Sequence, residues 1–238
     1  MFLRLERYLR NMGCDIHAHV ETGHLNREGK MTWSHLCDFR FGRNYVLFAL
    51  MAGVRRYNYL PNAAGLELAL SKRGVKTLDD PLLSEEETQV IIREASDSGI
   101  TYGQPSFEEK GAPRDMDWKT AEAYTYNIVE DGEENEDGDS QCVGRSKAER
   151  WVKEGSSDVW DTAIDGTVLR ITGPDWHTAS WLDTKEMALV AQRMELAMTE
   201  HPYRDNASTA KLEGLVEMMK RLERDEKTKA RVVFWFDN

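Results

Sequence analysis

The chain has 238 residues, 40% of them hydrophobic, and a formal net charge of −11 at pH 7. That length and apolar content suffice for a real core, while the acidity excludes a broad phosphate-binding track for polymeric nucleic acid and leaves room only for a small anionic ligand held by a few local arginines. No apolar run approaches the ~20 residues of a membrane span, and Met1–Arg7 is charged and amphipathic rather than a signal segment. The three cysteines, Cys14, Cys37 and Cys142, lack C-x-x-C spacing and indicate neither a disulfide framework nor a zinc knuckle, so the expectation is a cytoplasmic chain with reduced thiols.

From Cys14 to Glu21 ionisable and apolar residues alternate, so a strand there carries Asp15, His17, His19 and Glu21 on one face. Asn26–Lys30 supplies turn chemistry before an aromatic-containing stretch from Met31 to Phe39, which predicts a β-hairpin. Arg43–Arg55 spaces its apolar residues as a largely buried helix. Residues 58–81 read as a turn-rich loop with one helical turn near Leu66–Ser71. Ser84-Glu85-Glu86-Glu87 fits a capped, acidic helix start, with Val90, Ile91 and Ala95 continuing to Gly99.

Glu130–Asp139 is almost wholly acidic or Gly and predicts a flexible insertion spanning about 128–158. Its partial likeness to a calcium loop fails, because Gly144 stands where a bidentate Glu is required. A strand follows at Thr167–Thr172, then a loop at Gly173–Trp181, helices at Thr184–Glu200 and Ser208–Asp225, and a β-prone run, Ala230–Asn238, expected inside the sheet. The order lacks repeated βα units. It predicts one α+β domain over 1–238, with a mainly antiparallel sheet packed against helices and residues 1–11 as an N-terminal extension.

Three clusters carry chemistry. His17 and His19, with Cα atoms roughly 6 to 7 Å apart on a strand, are spaced to bind one divalent metal ion or to flank one substrate atom, with Asp15 and Glu21 as orienting carboxylates. The alternative is a polar sheet face hydrogen-bonded to helices packed across it, with Glu21 solvated. In Gly173–Trp181, Asp175, His177 and Ser180 offer a base, a hydroxyl or further metal ligands, and Trp176 and Trp181 offer stacking surfaces. The alternative is a packed turn with both tryptophans in the core. At Phe39–Tyr45, Arg43 and the helix N-terminus form an anion pocket, unless Arg43 pairs with Asp15 or Asp38.

Met12-Gly13-Cys14-Asp15-Ile16-His17 with Glu21, Arg43-Asn44-Tyr45 with Leu47-Phe48-Ala49, Ala52-Gly53-Val54-Arg55, His177-x-x-Ser180-Trp181-Leu182 and Phe236-Asp237-Asn238 resemble the motifs of an uncharacterised family found in bacteria and their phages. The resemblance brings no activity with it. It implies that residues 1–11 are an extension and that Asp15, His17, Arg43, Tyr45, His177 and Ser180 share one site, and it leaves His19 outside. The D-x-H and H-x-H patterns also resemble those of calcineurin-like phosphoesterases and amidohydrolases, but Gly-Asn-His-Glu and Gly-His-x-His are absent, as is barrel alternation.

These observations lead to the expectation of a small, phosphodiesterase-like hydrolase acting on a phosphate-containing, nucleotide-like ligand. His17 and His177 act as acid and base with Asp15 orienting His17. Arg43, Tyr45, Trp176, Ser180 and Trp181 bind the ligand, and Asp15, His17, His19 and His177 are the candidate ligands of a divalent metal ion. The alternatives are a non-catalytic phage protein that sequesters a nucleotide signal, and one that blocks a host defence protein through its acidic segment.

Overall fold

Strand-forming alternation at one end of the chain and a β-branched, aromatic run at the other meet in a single sheet. A computed structural model describes residues 14–54, 69–75, 83–84, 86–87, 90–91, 107–134, 141–200 and 206–237. In chain order the elements are β1 (Ile16–Leu25), β2 (Met31–Asp38), α1 (Tyr45–Ala52), α2 (Trp118–Tyr124), β3 (Thr125–Val129), β4 (Cys142–Gly144), α3 (Arg145–Glu154), β5 (Val159–Thr162), β6 (Val168–Thr172), β7 (His177–Asp183), α4 (Thr184–Glu200), α5 (Asn206–Leu222) and β8 (Thr228–Phe236). The class is α+β, as the sequence predicts.

The described residues form two compact units, one drawn from 1–43, 109–183 and 221–238, the other from 44–108 and 184–220. The first holds two sheets, ordered β2-β1-β8-β7 and β4-β3-β6-β5. Every pair in the former is antiparallel, and in the latter only β3 with β4 is parallel. The β1–β2 turn is closed by Asn26, whose Oδ1 accepts from Glu28 N and Lys30 N at 2.9 Å each. Paired on both edges, β8 buries its run from Ala230 to Phe236, the interior position expected of it. Trp235, Val233 and Met116 form a core with Tyr124, Trp160, Trp176, Ala179 and Trp181 around them. Val143, Ala148 and Ile171 form a second core between α3 and its sheet.

In the second unit, α1 is apolar on all sides and almost entirely buried. Asn44 caps it by accepting from Leu47 N at 3.0 Å, and Gly53 ends it at φ +72°, the left-handed conformation that glycine adopts without strain. α1 packs on α4, which buries Met187, Val190 and Met194. Ser84 and Glu87 form a reciprocal capping box, with Ser84 N to Glu87 Oε2 at 2.8 Å and Glu87 N to Ser84 Oγ at 3.2 Å. Val90 and Ile91 are helical as expected, with Ile91 buried, whereas the remainder of that predicted helix, most of 58–81 and the extension 1–11 lie outside the described residues.

Two expectations change. The loop Gly173–Trp181 is a turn only as far as Trp176, because His177–Asp183 pairs with β8 as an edge strand. The acidic stretch is structured where it is described: residues 142–154 are β4 and α3, and the carboxylates of Glu130, Asp131 and Glu134 accept hydrogen bonds. No side chain of α3's own N-cap residue, Gly144, can cap it, so Asp131 does, accepting from Ser146 N at 2.9 Å and from Ser146 Oγ. Arg145 Nη2 donates to Glu130 at 2.9 Å. A Cβ on Gly144 would collide with the Asp131 and Glu134 carboxylates, so glycine lets the acidic loop close over the positive end of the helix.

Candidate functional site

The row on β1 is real, but its members do not act on one centre. Residues facing each other across antiparallel strands share a face, and His17, His19 and Glu21 oppose Trp235, Val233 and Arg231. Each ionisable group then turns to a different partner. Asp15 binds Arg43 bidentately, at 2.6 Å to Nε and 2.9 Å to Nη2. His17 Nε2 meets Asp237 Oδ2 at 3.0 Å. His19 turns to Asp38, and Glu21 to Arg231.

Glu21, expected either to orient an imidazole or to be solvated, is 0% exposed. Its Oε2 accepts from Arg231 Nε at 2.8 Å and its Oε1 from Asp117 N at 2.8 Å. Arg231 Nη1 donates to Asp115 at 3.0 Å, and the guanidinium lies 3.8 Å from the centre of the Trp33 ring. The pair is a structural clamp holding residues 115–117 onto the sheet.

At the open end of β1 stands a dyad. Asp237 Oδ1 accepts from Asp15 N at 2.9 Å, and its other oxygen meets His17, which assigns the ring proton to Nε2 and leaves Nδ1 with no hydrogen-bond partner among the described residues. Asp237, rather than the expected Asp15, orients His17. The imidazole stacks on Trp235 at 5.5 Å and 7°, and Trp176 flanks it at 6.0 Å. Its side chain remains 36% exposed. Tyr126, 5.7 Å from Trp176, has its hydroxyl pKa raised by burial and by the charges of Asp175 and Asp237. The hydrogen bonds from Arg43 hold the Asp15 carboxyl below its ordinary range against a small opposing effect of burial.

A second constellation depends on a register shift. His19 opposes Asp38 and Val20 opposes Cys37, but Glu21 opposes His35, so β2 carries one extra residue at Leu36. This bulge flips the alternation and brings His35 and Asp38 to the face of His19. His35 Nε2 lies 2.9 Å from Asp38 Oδ1, and His19 Nδ1 lies 2.8 Å from the same oxygen at an angle poor for a hydrogen bond. Burial lowers the His19 pKa to about 4, outweighing the attraction of Asp38, so the ring is neutral at pH 7. Partial burial works to raise the Asp38 carboxyl, but the His35 hydrogen bond and the two imidazoles outweigh it and leave it lowered.

The other expected members are placed apart. His177 opposes Phe236 and stacks on it at 5.8 Å, whereas His17 stacks on the adjacent residue Trp235, so the two imidazoles rise from opposite faces of the sheet. The expected metal set of Asp15, His17, His19 and His177 therefore does not converge; among the described residues, His19, His35 and Asp38 do. Ser180 is buried, and its Oγ accepts from Lys110 N at 3.0 Å. Trp181 belongs to the core, with Lys110 Nζ 3.9 Å above its ring. Of the N-terminal amides of α1, Leu47 N is taken by the Asn44 side chain. Tyr45 opens α1, and its side chain lies outside the described residues. Sequence reasoning missed Asp237, His35 and Asp38 as partners. Asp237 lies in the Phe236-Asp237-Asn238 motif, which was a signal, whereas the pairing of His35 with Asp38 required the bulge.

No family model, no curated protein and no solved structure matches the chain at a significant level.

Proposed function

We propose that the chain is a hydrolase of a small phosphate-containing, nucleotide-like ligand, with His17, oriented by Asp237, as its general acid–base group. The observation that carries this reading is the dyad itself: a partly exposed imidazole with one nitrogen fixed by a carboxylate at 3.0 Å and the other available. Nδ1 takes the proton of the attacking water as the new P–O bond forms, and returns it to the leaving oxygen as the ester bond breaks. Trp176 beside His17 supplies an apolar surface for a planar base. Arg43 supplies the anion contact, since its pairing with Asp15 is half exposed and weak enough for a phosphate to displace. His177, Ser180 and Trp181 take no part in this version of the mechanism.

The test is incubation of the purified chain with nucleotides, cyclic nucleotides and simple phosphodiesters, followed by mass analysis of the products. Turnover is expected, with His17→Ala and Asp237→Asn each slower by roughly 10²–10⁴-fold. Full turnover in His17→Ala overturns the mechanism. A ligand recovered unchanged after denaturation overturns catalysis and indicates sequestration.

A further inference from the structure

We propose that His19, His35 and Asp38 form a binding site for a first-row divalent transition cation of the Zn²⁺ and Co²⁺ class. Three potential ligand atoms, one from each residue, lie within 4.8 Å of one another. Both imidazole nitrogens approach the same Asp38 oxygen, at 2.8 and 2.9 Å, so they already aim at one point. A cation bound at about 2.0–2.2 Å to each ligand needs that oxygen to retreat by roughly an ångström. Asp38 is free to move, its side chain being 68% exposed, while the two rings are held in place.

The rest of the fold supplies what such a site needs. His19 is more than nine-tenths buried, and its Nδ1 faces the exposed Asp38 oxygen that His35 also approaches. Its ring is fixed by stacking on Trp235 at 4.8 Å. The bulge at Leu36 is the device that brings His35 and Asp38, three positions apart on a strand, to one face. Two imidazoles and one carboxylate select borderline transition cations over calcium or magnesium, which take oxygen ligands. Three protein ligands with the carboxylate at the surface leave a coordination position for water, as in open rather than structural zinc sites.

This inference does not depend on the His17 reading, because its test measures uptake. The chelator-treated full chain is titrated with Co²⁺, followed by visible absorption, and with Zn²⁺, followed by equilibrium dialysis and elemental analysis. One equivalent is expected. Asp38→Asn and His35→Ala should each weaken binding at least about tenfold, a scale set by the loss of single supporting groups in metal sites, while His17→Ala changes affinity less than about twofold. Asp38 is exposed, so its variant keeps the fold, which a matching melting curve of the metal-free forms verifies. No stoichiometric uptake, or unchanged affinity in both Asp38→Asn and His35→Ala, overturns the site. Uptake weakened equally by His17→Ala overturns the assignment of its ligands.

Discussion

Asp15 and Glu21 sit on the same short stretch and each binds an arginine, yet their environments give the two pairs different weights. The Asp15–Arg43 pair is half exposed, so water and salt screen it and removing it costs little. The Glu21–Arg231 pair is enclosed, at 0% and 3% exposure, and removing one partner strands the other charge away from water. Chemical denaturation should therefore give a loss under about 1 kcal/mol for Arg43→Ala and about 3–5 kcal/mol for Arg231→Ala. Equal losses would show that Glu21 gains solvent when its partner is removed. The alternation in β1 shows that these groups share a face, but it does not show which are functional. Whether Glu21 faces water or an arginine depends on strand β8, which arrives from the far end of the chain.

For the strands and helices, the sequence was most informative where one period runs without interruption. β1, β2, α4 and α5 each carry a twofold or helical spacing and β8 an unbroken β-prone run; all five formed, with β1 running on to Leu25, past its expected end at Glu21. Of the second sheet only β6 was legible, and the rest was hidden for identifiable reasons. α2 runs into β3 without glycine or proline between them, and β4 is only three residues long, too short to show a period. His177–Asp183 reads as loop because its strand conformation is imposed by pairing with β8 across an irregular register. The bulge at Leu36 is the element whose consequence is easiest to isolate. Deleting Leu36 restores regular pairing between β1 and β2 and leaves His35 opposite Glu21, on the face of His19, now two positions from Asp38 in a regular strand. The deletion variant should keep the Co²⁺ absorption together with the far-ultraviolet circular dichroism of a folded α+β chain; loss of the absorption in a folded variant would mean that the local geometry of the bulge, and not only the shared face, positions His35.

Across the molecule, protonation acts in one direction. Among the described residues the shifted carboxyls, Asp15, Asp38, Glu87, Asp131, Asp165 and Asp225, are all lowered by hydrogen bonds or neighbouring cations. Below their ordinary range, near pH 4, the unfolded chain binds protons that the folded chain resists, so acid weakens the fold there. His19 extends the effect upward. Its buried ring has a pKa of about 4 against 6.5 for the free side chain, so between these values the unfolded state takes up a proton and the folded state does not. The unfolding free energy of the metal-free chain should fall as pH drops from 6.5 to 4, by up to roughly 3 kcal/mol from this group. Denaturation at stepped pH checks this, and a His19→Gln variant should show a flatter profile through the same window. A profile already flat in the parent chain would mean that His19 is protonated without opening the fold.

The imidazole of His17 and the carboxylate of Asp237 stand 220 positions apart in the chain, and they meet because β1 zips along β8. A ribosome adding about 5–20 residues per second takes roughly 10–40 s to cover that separation. Throughout that interval the β1–β2 hairpin has emerged with one long edge unpaired, and an open edge recruits whatever strand comes first, including the same hairpin on a neighbouring nascent chain. Yield of the native protein is thus a race between finishing the chain and clustering of its first strands, and low message abundance, which keeps nascent chains apart, should favour the former.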